Sequence, residues 1–217
     1  NSPLVEALCE FQFLYDQQWD WTIPGILYEK VKDSFPKKRQ ISLPALSSEK
    51  NNISQPIIPV PPVVHFLSAN ENTLLQIGPE HLVINMLKPY TSWENFKALI
   101  LKNLYIYKEI ANPKGFRKIG LRYINILEFD KSDIKLRDYL NYHPTAPEQL
   151  LLKPHSFFSR LEIPYENDLL ILTSGTITPQ KTVSLSITLD IDHVMMLPET
   201  ITFDEVSSWL DSAHTRI

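Results

Sequence analysis

Polar and apolar positions alternate in long stretches of this chain, and in between the apolar spacing lengthens to that of a helix. From Leu4 to Leu14, Val5, Ala7, Cys9, Phe11 and Phe13 are apolar while Glu6, Glu10 and Gln12 fall between them. That period of two predicts a strand with one buried face, and it puts Cys9 on that face. Thr22 then stands at the start of a helix with Ile23, Ile26, Leu27, Val31 and Phe35 on one side, Pro24 in its first turn and Pro36 at its end. Between Ser42 and Pro62, five prolines (Pro44, Pro56, Pro59, Pro61 and Pro62) among Ser, Asn and Gln predict a long loop. Short strands follow at Val63–Ser68, Thr73–Ile77 and Leu82–Met86, with Asn70-Glu71-Asn72 and Gly78-Pro79-Glu80 as turns. Thr91 and Glu94 have capping-box spacing ahead of a helix carrying Trp93, Phe96, Ile100, Leu104 and Tyr107 on one face, and Asn112-Pro113-Lys114-Gly115 stops it.

The second half runs through a similar order. A strand at Phe116–Phe129 leads to a short helix near Ile134–Leu140, a polar loop from Asn141 to His155, and strands at Phe157–Ile163, Leu169–Ile177 and Thr182–Val194. A last helix follows, with a capping pair at Thr202 and Glu205, burying Phe203, Val206, Trp209, Leu210 and Ala213. The expectation is an α+β fold with antiparallel sheets, built from two similar strand-helix-three-strand-helix halves, 1–115 and 116–217, whose helices pack on one face. Both halves would be integrated into a single domain.

Composition narrows the function. With 43% hydrophobic and 11% aromatic residues the chain can fill a core, and a formal net charge of −4 argues against nucleic acid as the partner. Lys37-Lys38-Arg39 is the one basic run, explained here by a preceding helix C-terminus. A single cysteine excludes an intrachain disulfide and suits a reducing, cytoplasmic location. No apolar run approaches the roughly 18 residues that span a bilayer, so no membrane association is expected.

Three segments, PLVEALCEF, INMLKPYTSWENF and KIGLRYINILEF, together resemble an uncharacterised, sporadically distributed bacterial family. The positions carrying the resemblance are Pro3, Val5 and Glu6; Pro89, Tyr90 and Trp93; and the signature strand Gly120-Leu121-Arg122-Tyr123-Ile124-Asn125. The resemblance spans nearly the whole chain and implies a further C-terminal segment beyond Ile217. It brings no activity with it, although the family's patchy distribution suggests a partner-binding component of a mobile-element or defence module.

Candidate chemistry is sparse. On the signature strand Ile119, Leu121, Tyr123, Leu127 and Phe129 share one face, which Asn125 interrupts. An inward Asn needs partners, because an unpaired buried amide costs about 1–3 kcal/mol. A backbone group or bulge would supply them, or Asn125 and Tyr123 would line a pocket. Arg122 lies on the opposite face with Lys118, Ile124, Ile126 and Glu128; its expected partner is Glu6 or Glu10, and its fork also suits a carboxylate or phosphate ligand. Tyr90 and Trp93 stand at a strand-to-helix junction where aromatics either pin the helix or stack on a ligand ring.

Asp190 and Asp192, two apart on one strand face, are the only metal-ligand candidates, with a third ligand unassigned. The six histidines show no HxH, HxxH or HExxH spacing, and five scattered glycines build no phosphate loop. No cofactor is therefore expected. The reading is a non-catalytic binding or interaction protein for an unidentified protein or small molecule, with Arg122, Tyr123 and Asn125 as first surface and Tyr90 and Trp93 as second. The alternative is a metal-dependent hydrolase or nuclease using Asp190 and Asp192. Self-association is left open.

Overall fold

The computed structural model describes residues 2–41, 62–131, 134–141, 156–179, 183–195 and 201–217. Nine strands are present among them: β1 (Leu4–Leu14), β2 (Lys37–Ile41), β3 (Val63–Leu67), β4 (Thr73–Gly78), β5 (His81–Leu87), β6 (Gly115–Phe129), β7 (Phe158–Tyr165), β8 (Asp168–Ile177) and β9 (Leu185–Met195). Three helices accompany them, α1 (Ile23–Val31), α2 (Trp93–Ala111) and α3 (Val206–Arg216). The strands form one antiparallel sheet in the order β2-β3-β4-β5-β1-β6-β9-β8-β7. Outward from the central β1/β6 pair, the order β5-β4-β3 on one side matches β9-β8-β7 on the other.

Period-two alternation decides which face each side chain takes. Ala7, Cys9, Phe11 and Phe13 of β1 lie beside Met86, Ile84 and Leu82 of β5 and beside Tyr123, Leu121, Ile119 and Phe116 of β6. The buried faces of α1 (Ile23, Leu27, Val31), α2 (Phe96, Ile100, Leu104, Tyr107) and α3 (Val206, Trp209, Leu210, Ala213) join them in one apolar cluster. All three helices thus cover the same sheet face. At the centre of that cluster Phe13 stacks on Tyr107 at 4.7 Å and meets Phe116 at 5.6 Å, while Phe116 packs on Phe203 at 4.4 Å.

Local differences from the expected pattern have physical reasons. Lys37-Lys38-Arg39 is strand β2 and not a helix tail: Pro36 ends the preceding segment, and backbone bonds to β3 hold five exposed residues at the sheet edge. Lys37 and Arg39 converge on Glu71 at 2.9 and 2.7 Å. The cap of α2 is Ser92 instead of Thr91, its side chain accepting from the Asn95 N–H at 3.3 Å. Thr22 makes no side-chain cap to α1; Asp20 instead accepts from its N–H and hydroxyl, both at 2.8 Å. Around Ile134–Leu140 only a 3-10 turn forms, at Leu136–Asp138, where Leu140 is the buried anchor and Tyr139 packs against Phe129.

Strand β2 thus adds an edge beyond β3, and among the described residues a 3-10 turn is the one helical element between β6 and β7. The expected Pro-rich loop (42–61) and most of the Asn141–His155 loop lie outside the described residues. None of the helices among the described residues is long and apolar enough to cross a membrane.

Candidate functional site

Strand β6 carries the signature, and its two faces do different work. On the face away from the helices, Arg122 sits opposite Leu8 of β1 and Asp192 of β9. Its guanidinium closes a two-point fork on Asp190, with Nε donating to Oδ1 at 2.7 Å and Nη2 donating to Oδ2. The partner is Asp190 and neither Glu6 nor Glu10, because both glutamates are engaged elsewhere. Glu6 accepts from Asn85 at 2.5 Å, and Gln76 in turn donates to Asn85 at 3.0 Å. Glu10 accepts from Lys118 at 2.6 Å and from Gln12 at 2.7 Å. Burial raises the Glu10 carboxyl, but the bonds from Lys118 and Gln12 outweigh it and hold it below its ordinary value.

Asp192 is the exception in this row, accepting no hydrogen bond among the described residues. Its carboxylate lies beside Gly120, where a Cβ would meet Oδ1 at an ordinary van der Waals distance of 3.6 Å. Burial pushes this carboxyl above its ordinary value, and the negative charges of Asp190 and Glu10 push the same way; Lys118 and Arg122 oppose them. Half-buried Ile171 faces it across the β8/β9 ladder and half-buried Val194 follows it on the same face of β9, while Arg122, Lys118, Asp190 and Glu10 supply the charges around it.

On the helix face, Tyr123, Tyr90 and Trp93 come together, and His214 of α3 joins them. The Tyr123 hydroxyl lies 3.0 Å from His214 Nδ1 and 3.5 Å from the Tyr90 hydroxyl. The Trp93 ring stacks on the His214 ring at 4.2 Å, while Trp93 Nε1 donates to Asp211 at 3.2 Å and Lys97 donates to its other oxygen at 2.6 Å. This is a joint between α2, α3 and β6. Burial raises the Tyr123 and Tyr90 hydroxyls and lowers the His214 imidazole, which favours the neutral ring that accepts from a tyrosine. Asn125 stands apart from the joint: opposite Leu4, where the β1/β6 register shifts, its amide donates to the Leu189 carbonyl at 3.3 Å. That is the backbone pairing an inward Asn needs.

A polar cluster with no motif spacing in sequence lies under α3. Asp168, at the head of β8, accepts from Trp209 Nε1 at 3.2 and 3.3 Å and from Arg216 at 2.8 Å, and His193 Nε2 lies 3.0 Å from it. The Arg216 guanidinium also lies over the Tyr165 ring at 5.0 Å. A His–Asp pair can serve a base when the free ring nitrogen reaches a substrate. Here His193 is fully buried and its Nδ1 has no partner, so the pair clamps α3 to β8 and β9. The sequence hints were Asp168 and His193 themselves, each in the inward phase of an apolar strand.

One cavity of about 420 Å³ opens where the loop after β1 meets the end of α2. Tyr15, Trp19, Ile23 and Ile110 line it beside Asp16 and Lys114, which pair at 2.7 Å. Tyr15 bonds Tyr107 hydroxyl to hydroxyl at 2.8 Å, and burial pushes its hydroxyl up to about 12.

Of the proposed metal pair, Asp190 is fully engaged by Arg122, and among the described residues no group of three His, Cys, Asp or Glu side chains can hold a metal ion. His193, in the opposite strand phase, belongs to the other face. The five candidate binding residues thus divide: Tyr90, Trp93 and Tyr123 in one helix-face joint, Asn125 on a backbone carbonyl, and Arg122 on the helix-free face. No protein-family model and no curated protein matches this chain.

Proposed function

We propose that this protein is a non-catalytic binding protein whose working surface is the helix-free face of the sheet around Arg122 and Asp192. The observation that carries this reading is Asp192: a half-buried carboxylate that accepts no hydrogen bond among the described residues and lies beside Gly120, Ile171 and Val194, its carboxyl raised by burial. Its oxygens still reach solvent, so a partner's donor would replace water there. A carboxylate flanked by Ile171 and Val194 on one side and by the charges of Arg122, Lys118 and Asp190 on the other suits a protein segment that presents a lysine or arginine beside apolar residues. The Arg122–Asp190 fork holds the neighbouring charge in place and so defines the edge of the patch.

The helix-face residues Tyr90, Trp93 and Tyr123, with His214, are read as the joint that fixes α2 and α3 to β6, and Asn125 as a local backbone tie. The matching strand order on either side of β1/β6 supports descent of the halves from a duplicated unit, with β2 and α1 as additions to the first. Metal-assisted hydrolysis gains no support, since Arg122 occupies both oxygens of Asp190. The resemblance carried by PLVEALCEF, INMLKPYTSWENF and KIGLRYINILEF suggests a patchily distributed bacterial family and a partner within a mobile-element or defence module, while the single cysteine suits a cytoplasmic setting.

The test uses two face variants, Asp192→Lys and Ile124→Glu, in affinity purification from the native host. Loss of a partner that co-purifies with wild type, with the thermal unfolding midpoint not lowered, supports the reading. Retention of every partner by both variants overturns it.

A further inference from the structure

The two outermost strands of the sheet among the described residues, β2 and β7, are not alike. β2 sets Lys37, Lys38 and Arg39 along its rim, the charged device that keeps another strand from pairing there. β7 has eight residues, alternates exposed and half-buried, and leaves Phe158 75% exposed. We propose that β7 is a self-association edge, on which β7 of a second copy adds antiparallel to continue the sheet.

The ladder phase fixes how this would work. The Thr176 N–H donates to the Phe157 carbonyl at 3.0 Å, and the β7/β8 register runs unbroken from Phe158↔Gly175 to Tyr165↔Asp168. In an antiparallel pair alternate residues exchange both bonds, so the odd residues of β7 bond β8. Phe158, Arg160, Glu162 and Pro164 turn their backbone groups outward, and Pro164 offers only its carbonyl.

With a twofold axis at Leu161, the outward groups pair with themselves. Arg160 faces Glu162 of the second copy, Glu162 faces its Arg160, and Phe158 faces its Pro164. In the single copy Arg160 turns along its own strand to Glu162, with Nε donating at 2.8 Å. Pairing two copies exchanges the two intrastrand bonds, one per copy, for two cross-strand ones and covers Phe158, whose ring is near Gly175, where no side chain rises beside it. The exposed aromatic and the self-complementary charges select a second copy over an unrelated strand. This inference is independent of the Asp192 surface, which lies on the sheet face and not at its rim.

Analytical ultracentrifugation of wild type, Arg160→Glu, Glu162→Arg and their mixture tests it. Wild type is expected to show a monomer–dimer equilibrium. Each single variant sets like charges opposite each other and raises the dissociation constant roughly ten-fold or more. Mixing the two variants restores dimers, because the rim made wholly acidic by Arg160→Glu meets the rim made wholly basic by Glu162→Arg, and a folding defect cannot produce that rescue. A second check is Arg160→Pro, which removes an outward N–H and leaves the β8 ladder intact; it is expected to be monomeric. Wild type that remains monomeric at its highest soluble concentration, or variants that form no heterodimer, overturns the proposal.

Discussion

The two sides of the sheet share a strand order but hold their helices by different chemistry. On the β5-β4-β3 side, α1 and α2 bury hydrocarbon and aromatic rings: Leu27, Phe96, Ile100, Leu104 and Tyr107 are all fully buried. On the β9-β8-β7 side, α3 is the one helix over the strands among the described residues, and beside its apolar stripe Trp209 and Arg216 reach down to a buried carboxylate, Asp168. Apolar burial is non-directional and tolerates small shifts, whereas a carboxylate with three partners fixes the position and rotation of the helix. The lesson is that one topology can be secured by area on one side and by direction on the other.

Phe13→Ala would break the comparison most severely. It removes a fully buried ring in contact with Tyr107 and Phe116, at a cost of about 3–5 kcal/mol in urea unfolding. Because the ring touches elements of both halves, far-UV circular dichroism and Trp fluorescence are expected to lose structure at one shared midpoint; two separated midpoints would show that the halves hold independently. Asp168→Ala strips the second side of its acceptor and leaves Trp209, His193 and Arg216 unpaired. The expected loss is about 3 kcal/mol, at the low end for a buried pair because Arg216 is 35% exposed and water recovers part of it. Asp168→Asn should recover some of that loss; equal effects would mean that charge, and not hydrogen bonding, holds α3.

A smaller effect is expected at Arg122→Ala, about 1 kcal/mol, since Arg122 is 39% exposed and solvent screens the fork. Urea titration at low and high salt checks it, the deficit shrinking as salt rises. The smallest change, and of opposite sign, is Asp192→Asn. A carboxyl raised above its ordinary value of 3.8 gives its full stabilisation below that value and loses it as pH rises through the folded-state value. Removing the charge should therefore stabilise the protein at neutral pH, with the gain fading as pH falls towards 4. An Asp192→Asn protein no more stable than wild type at pH 7 would contradict a desolvated Asp192.

Much of this was legible from patterning. The Leu4–Leu14 alternation marks β1 residue for residue, and the apolar spacing from Phe96 to Tyr107 marks the buried face of α2. Strand β2 was not legible, because its pairing is made by backbone groups that every residue shares, while Lys37-Lys38-Arg39 has no apolar phase. The partner of Arg122 was hidden for another reason. Glu6, Glu10 and Asp190 all lie on the same sheet face, and the choice among them depends on which acids Asn85 and Lys118 engage first. The Asp168 cluster draws on β8, β9 and α3, whose residues meet only once strand order is settled. Tyr90 and Trp93 were legible as an aromatic pair at a helix entry, but their meeting with Tyr123 depends on strand order and their closure by His214 on where α3 lands.

Strand β1 lies at the middle of the sheet, yet both of its partners come much later in the chain: Glu6 pairs with Leu87 on one side and with Ile124 on the other. A ribosome making about 5–20 residues per second leaves β1 without β5 for on the order of ten seconds, and without β6 for longer. Throughout that interval Ala7, Cys9, Phe11 and Phe13 face solvent on a strand with both rims open, the form of chain that chaperones recognise. The seam that joins the finished molecule is thus its greatest hazard during synthesis, and its long-range pairing should make refolding slow for a chain of this size.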